Sequence, residues 1–90
     1  MAHKILFNKE NSAFAYGDHE WDSIFIRQNE VHMNDLLMTR GYVYMNSIYE
    51  ALGFKWDPKW ENPCCIFYQG VRIHLRRHYT DKGFEVTIEW

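Results

Sequence analysis

The last third of the chain alternates. "VRIHLRRHY" (71–79) and "FEVTIEW" (84–90) place an apolar side chain at nearly every second position, the period of a strand with one buried face. Between them, "TDKG" reads as a four-residue turn ending in Gly. That turn sets Tyr79 opposite Phe84, then His78 opposite Glu85, Arg77 opposite Val86, Arg76 opposite Thr87, Leu75 opposite Ile88, His74 opposite Glu89 and Ile73 opposite Trp90. One face collects Ile73, Leu75, Tyr79, Phe84, Val86, Ile88 and Trp90. The other collects Arg72, His74, Arg76 and His78 against Glu85, Thr87 and Glu89. A slip of one residue would mix the faces, so the pattern selects this register. "CCIFY" (64–68) with a tight Gln69-Gly70 turn adds a third strand, pairing Tyr68 with Val71. Cys64, Ile66 and Tyr68 then face the core, and Cys65 and Phe67 face outward.

The first half is less regular. "KILF" (4–7) and "AFAY" (13–16) read as a hairpin across the polar turn "NKENS". "GDHEWD" (17–22) reads as a loop. "SIFIRQNEV" (23–31) starts as a strand on its β-branched and aromatic content. Then one punctuation occurs twice: Asn34 is followed seven positions later by Gly41, and Asn46 by Gly53. Asn suits a helix N-cap, and Gly suits the left-handed position just past a helix end. The expectation is two short helices, held by Leu36, Leu37 and Met38 in the first and by Ile48, Tyr49 and Leu52 in the second. Together these elements predict one α+β domain over residues 1–90: a small antiparallel sheet with a C-terminal three-stranded meander, covered on one face by two short helices.

Composition sharpens the packing problem. Ninety residues bury only about 60–65% of their unfolded surface, so the core must be efficient. Aromatic residues make up 18% of the chain, and large rings bury much area for each residue ordered. The formal charge of −2 gives no general attraction to nucleic acid or anionic lipid. Apolar runs are short, so no membrane span is expected. "MAHKILFNKE" lacks the apolar core of a signal peptide, so the expected location is cytoplasmic. Cys64 and Cys65 are adjacent and form no disulfide framework or CxxC knuckle. Their expected state is two reduced thiols.

The stretch "DLLMTRGYVYMNSIYEALGF" (35–54) carries a pattern, R-G-Y-V-Y-M-N-x-I-Y-x-x-L-G, formed by Arg40, Gly41, Tyr42, Val43, Tyr44, Met45, Asn46, Ile48, Tyr49, Leu52 and Gly53. It resembles a family of small uncharacterised proteins encoded by bacteriophages and mobile elements of gut bacteria. "YGDHEWDSI" and "FKWDPKWENP" on either side are similar too, and the likeness spans residues 16–70. The resemblance implies a phage or mobile-element origin and a small soluble product. It carries over no activity and no catalytic residues.

The candidate chemistry is that of contact. Trp56 and Trp60 sit in the Pro-containing loop "KWDPKW", where polar surroundings give little reason for two Trp. Trp, Tyr and Arg dominate binding energy at interfaces. Trp56, Trp60, Tyr42 and Tyr44 are therefore the candidate residues for an unknown protein partner, and a homodimer is compatible with them. The first functional expectation is a non-enzymatic protein-interaction module, an accessory protein without cofactor or metal. The alternative is a nucleic-acid-binding accessory protein that uses Arg72, His74, Arg76, Arg77 and His78, with Phe67 to stack a base. Its weakness is the facing strand, whose Glu85 and Glu89 make the stripe a balanced charge ladder. A metal set of Cys65, His74 and a nearby Glu lacks any supporting motif, and "DHEWD" lacks the spaced oxygens and Gly of a calcium loop.

Overall fold

The computed structural model describes residues 2–55 and 66–90. The elements run β1 (Ala2–Phe7), α1 (His19–Arg40), β2 (Tyr42–Tyr44), α2 (Met45–Ala51), β3 (Ile66–Tyr68), β4 (His74–Thr80) and β5 (Gly83–Glu89). The class is α+β. β1, β5 and β4 form an antiparallel sheet in that order, and β2 pairs with β3 in a separate two-stranded ribbon.

The β4–β5 hairpin has the register that its alternation dictates, from Tyr79 opposite Phe84 to His74 opposite Glu89. Ile73, Leu75, Val86 and Ile88 are fully buried on its inner face. The third strand of this sheet is β1, whose inward Phe7 pairs with Phe84 and whose Ile5 pairs with Val86. It comes from the N-terminus, and β3 is not a neighbour of β4. After Tyr68 the chain turns at Gln69-Gly70, and β4 begins only at His74. β3 pairs instead with β2, so its faces are the reverse of the expected ones. Phe67 is buried and packs edge-on against Trp90, with ring centres 4.8 Å apart, whereas Tyr68 is exposed. Cys64 and Cys65 lie outside the described residues. "AFAY" is not a strand, since β1 takes β5 as its partner.

The largest departure is α1. Residues 23–31 form no strand; they lie inside a 22-residue helix. Its start is fixed by Asp18, whose Oδ1 accepts the backbone N–H groups of Glu20 at 2.9 Å and Trp21 at 3.2 Å. Asp22, in the first turn, is buried and accepts the N–H groups of Tyr16 and Gly17, which tethers the preceding loop. "GDHEWD" is thus a helix start. The apolar buried positions Ile26, Met33 and Leu37 follow helical spacing, and the half-buried Ser23, Glu30 and Asn34 hydrogen-bond to Arg77, Leu75 and Ile73.

Both glycine stops act as read. Gly41 has φ +87° and its N–H reaches Leu37 O at 3.1 Å. Gly53 has φ +85°, with Gly53 N–H on Glu50 O and Phe54 N–H on Tyr49 O, a paired closure of the last turn. Two helices therefore remain separate, but the asparagines do not start them. Asn34 is interior to α1. Asn46 is the second residue of α2, buried, while Tyr44 occupies the cap position without a side-chain cap.

Both helices and both sheets share one core, built on Phe7, Ile26, Val43, Ile48, Leu52, Ile73, Leu75 and Ile88, each fully buried. Burial of each such side chain stabilises by about 1.5–3 kcal/mol relative to exposure.

Candidate functional site

Two surfaces present chemistry outward, one at each end of α1.

The first follows from the stop at Gly41. Its left-handed backbone turns the chain directly into β2, whose Val43 points into the core and is fully buried. Alternation along the strand then forces Tyr42 and Tyr44 outward. Tyr68 of β3 stands opposite Tyr42 and on the same outer side. These three rings are 37%, 41% and 58% exposed. Tyr42 and Tyr44 meet edge to face at 5.4 Å, and the guanidinium of Arg40 lies 4.8 Å from the Tyr42 ring centre. The N–H of Gln69 donates to Gly41 O at 3.0 Å and extends the ribbon by one bond beyond the strands. The result is a short, backbone-paired platform carrying three tyrosines and one arginine. Such side chains bring large contact area at low entropic cost, since a Tyr has two side-chain torsions to fix.

The second surface lies between β4 and the first half of α1. β4 is an edge strand: β5 takes one side, and the other faces α1. Along that free edge, Asn34 acts as a neighbouring strand would. Its Oδ1 accepts Ile73 N–H at 2.9 Å, and its Nδ2 donates to Ile73 O at 2.8 Å. Glu30 Oε2 accepts the Leu75 N–H at 2.7 Å. Further toward the helix start, Ser23 Oγ accepts Arg77 Nε–H at 2.8 Å. His19 packs edge-on against Tyr79 at 4.6 Å. Here helix and strand leave a groove of about 660 Å³, lined by His19, Ser23, Glu30, Arg77, His78 and Tyr79 among others.

The residues expected to bind an anion are therefore divided. Arg76 Nε contacts Glu89 Oε2 at 2.5 Å, and this hydrogen bond, with the carboxylate's charge, raises the Arg76 pKa above its ordinary value. Glu85 pairs with Lys4 of β1 at 3.3 Å rather than with β4. Arg77 points to the other face of the strand, toward Ser23. Arg72 is exposed but precedes the strand, His78 is exposed and His74 half-buried. Phe67 is buried and does not present a stacking face. Tyr42 and Tyr44 stand together at the surface, while Trp56 and Trp60 lie outside the described residues. Among the described residues, no three His, Cys, Asp or Glu side chains converge as metal ligands would, and no helix is long and apolar enough to cross a membrane. Sequence reasoning missed Arg40, Tyr68, Asn34, Glu30 and Ser23. The last three recur at helical spacing, which signals a shared face only once α1 is recognised as a helix.

A family model described as "Family of unknown function (DUF6353)" matches residues 2–60, more than half of the chain. The matched span includes β1, α1, β2 and α2. No curated protein and no solved structure matches.

Proposed function

The chain belongs to the family of unknown function (DUF6353), and from that premise we propose that it is a non-enzymatic protein-interaction module whose contact surface is the tyrosine ribbon. The observation that carries this reading is the exposed set Tyr42, Tyr44 and Tyr68 with Arg40 beside them, on a ribbon whose inner side is tied into the core through Val43. Tyr and Arg are over-represented among interface hot spots, where one residue can be worth 2 kcal/mol or more. The partner that fits is a protein face with apolar pockets for the rings and an acidic rim for Arg40. The proposal extends to an accessory role in a phage or mobile element, acting in the cytoplasm. Support for that part is the "RGYVYMN" likeness and the sequence character alone. The alternative, a nucleic-acid-binding face, is less well supported, because Arg76 is occupied by Glu89 and Phe67 is buried.

A photo-crosslinking residue placed at Tyr44 or at Tyr68, in the full chain expressed in its native cells, tests the reading. Both positions should trap the same protein, and the exposed helix position Met38 should not. The purified pair should then lose at least tenfold in affinity with Tyr44→Ala. Equal trapping from Met38, or unchanged affinity in Tyr44→Ala, would refute the ribbon as the contact surface. Retention on heparin at moderate salt, lost in the Arg72→Gln, Arg76→Gln double variant, would favour the nucleic-acid reading.

A further inference from the structure

Among the described residues, the outer edge of β4 is covered over only part of its length. Ile73 and Leu75 turn their backbone groups outward to Asn34 and Glu30. In an antiparallel strand these groups alternate sides, so the backbone N–H and C=O of Arg77 and Tyr79 also point outward. Among the described residues, none pairs with them. They open into the groove of about 660 Å³ between β4 and the start of α1, within the range of ligand sites. Proteins usually blunt an open strand edge, because it is a template for another strand. Among the described residues, the cover ends at Leu75, beside the groove.

The side chains around this open stretch give it a sign. Arg77 spends its Nε–H on Ser23 Oγ, which fixes the guanidinium, and no partner is seen among the described residues for its two terminal nitrogens. His78 and His19 add further ring nitrogens to the rim. Glu30, the acidic group in the lining, is engaged at the far end with the Leu75 N–H. A fork held in this way suits a carboxylate taken in two-point contact. A second copy of this chain fits poorly. Antiparallel pairing of two β4 edges centred on the open stretch would set Arg77 directly opposite the Arg77 of the second copy, and like charges directly opposite are destabilising.

We infer that the β4 edge between Leu75 and Tyr79 is a strand-addition site for an extended peptide segment with an acidic side chain. The peptide backbone pairs with Arg77 and Tyr79, its carboxylate docks on the Arg77 fork, and α1 forms the opposite wall at His19 and Ser23. Main-chain hydrogen bonds supply affinity and the carboxylate supplies selectivity, the usual division of labour in strand addition. The open stretch admits about four to six peptide residues at about 3.4 Å each. This site is distinct from the tyrosine ribbon, which lies near the other end of α1, about 25 Å from Ser23 at 1.5 Å per helical residue.

Selection of a random heptapeptide library against the immobilised full chain, followed by titration of the best synthetic peptide into the isotope-labelled chain, tests the inference. Selected peptides should share an acidic position. They should shift the Arg77 and Tyr79 amide resonances and slow their exchange with solvent. Replacing the acidic residue by Lys should weaken binding at least tenfold, and N-methylation of the central peptide amides should abolish it without any change in the protein. Arg77→Gln should weaken binding similarly, while Arg72→Gln and Tyr44→Ala should leave it unchanged. The inference is overturned by a library that yields no binder, or by binders that leave the Arg77 and Tyr79 amides unmoved. Equal affinity of acidic and basic peptides would overturn it too. Concentration-dependent shifts of the same amides without peptide would assign the edge to a second copy instead.

Discussion

Asn34 offers the sharpest test of how α1 and the sheet are joined. Substitution by Ala removes both hydrogen bonds to Ile73, at 2.9 and 2.8 Å. A backbone group left unsatisfied in the interior costs about 1–3 kcal/mol. Asn34 is half-buried, so water partly compensates and the lower end applies, about 1 kcal/mol for each group. Ala is the better helix former, and that returns up to about 0.7 kcal/mol. The net loss expected for Asn34→Ala is about 1.5 kcal/mol, a fall in Tm of about 6–12 °C for a chain of this size. Asn34→Asp separates this role from a helix cap. As a cap, Asp would serve as well as Asn. On the strand edge it keeps the acceptor for Ile73 N–H, loses the donor to Ile73 O and sets a carboxylate against that carbonyl. Asn34→Asp should therefore be no more stable than Asn34→Ala. Urea unfolding followed by circular dichroism gives the stabilities, and amide exchange at Ile73 gives the local opening. An Asp variant as stable as the wild type, with Ile73 exchange unchanged, would refute the strand-edge role.

Three further outcomes are expected. Ile26→Ala should cost about 2–5 kcal/mol in urea unfolding, whereas Ile24→Ala, at a position 51% exposed, should cost under about 0.5 kcal/mol; equal losses would mean the two share a face, as in a strand. Gly41→Ala meets no atom within 4 Å and should show only the left-handed strain of about 1–2 kcal/mol. Gly53→Ala carries the same strain and brings a Cβ to 2.6 Å from Ser12 Oγ, so its Tm should fall clearly further, and similar melting points would contradict the close approach. Arg72→Gln combined with Arg76→Gln should leave the urea midpoint unmoved, because both side chains are exposed.

The β4–β5 hairpin was legible because its two faces differ in polarity and its turn fixes the pairing. A wrong register would bury Arg76 or expose Val86. The glycine stops were legible for a similarly local reason: Gly41 and Gly53 hold positive φ, which other residues adopt only at a cost. The outward direction of Tyr42 and Tyr44 follows from alternation around Val43. Each of these features is decided within a few residues of the chain.

α1 and the strand partners were decided elsewhere. "SIFI" favours a strand locally, and the face that α1 buries carries Ser23, Glu30 and Asn34 among its apolar residues. Those polar side chains blur the helical period because their partners, the backbone of Ile73 and Leu75 and the side chain of Arg77, lie 39 to 54 residues away in sequence and become adjacent only after folding. β3 leaves β4 for β2 for a comparable reason. Strand partners are chosen by which edges and apolar faces are left over once the whole core is assembled, and no local alternation encodes that choice. The sequence by itself thus determined the helix stops at Gly41 and Gly53, which face of the β4–β5 hairpin is buried and the α+β class. Only the tertiary structure decided that Asn34 completes a sheet edge, that Phe67 is core and Tyr68 surface, and that Arg77 and Tyr79 on the outer edge of β4 have no backbone partner among the described residues.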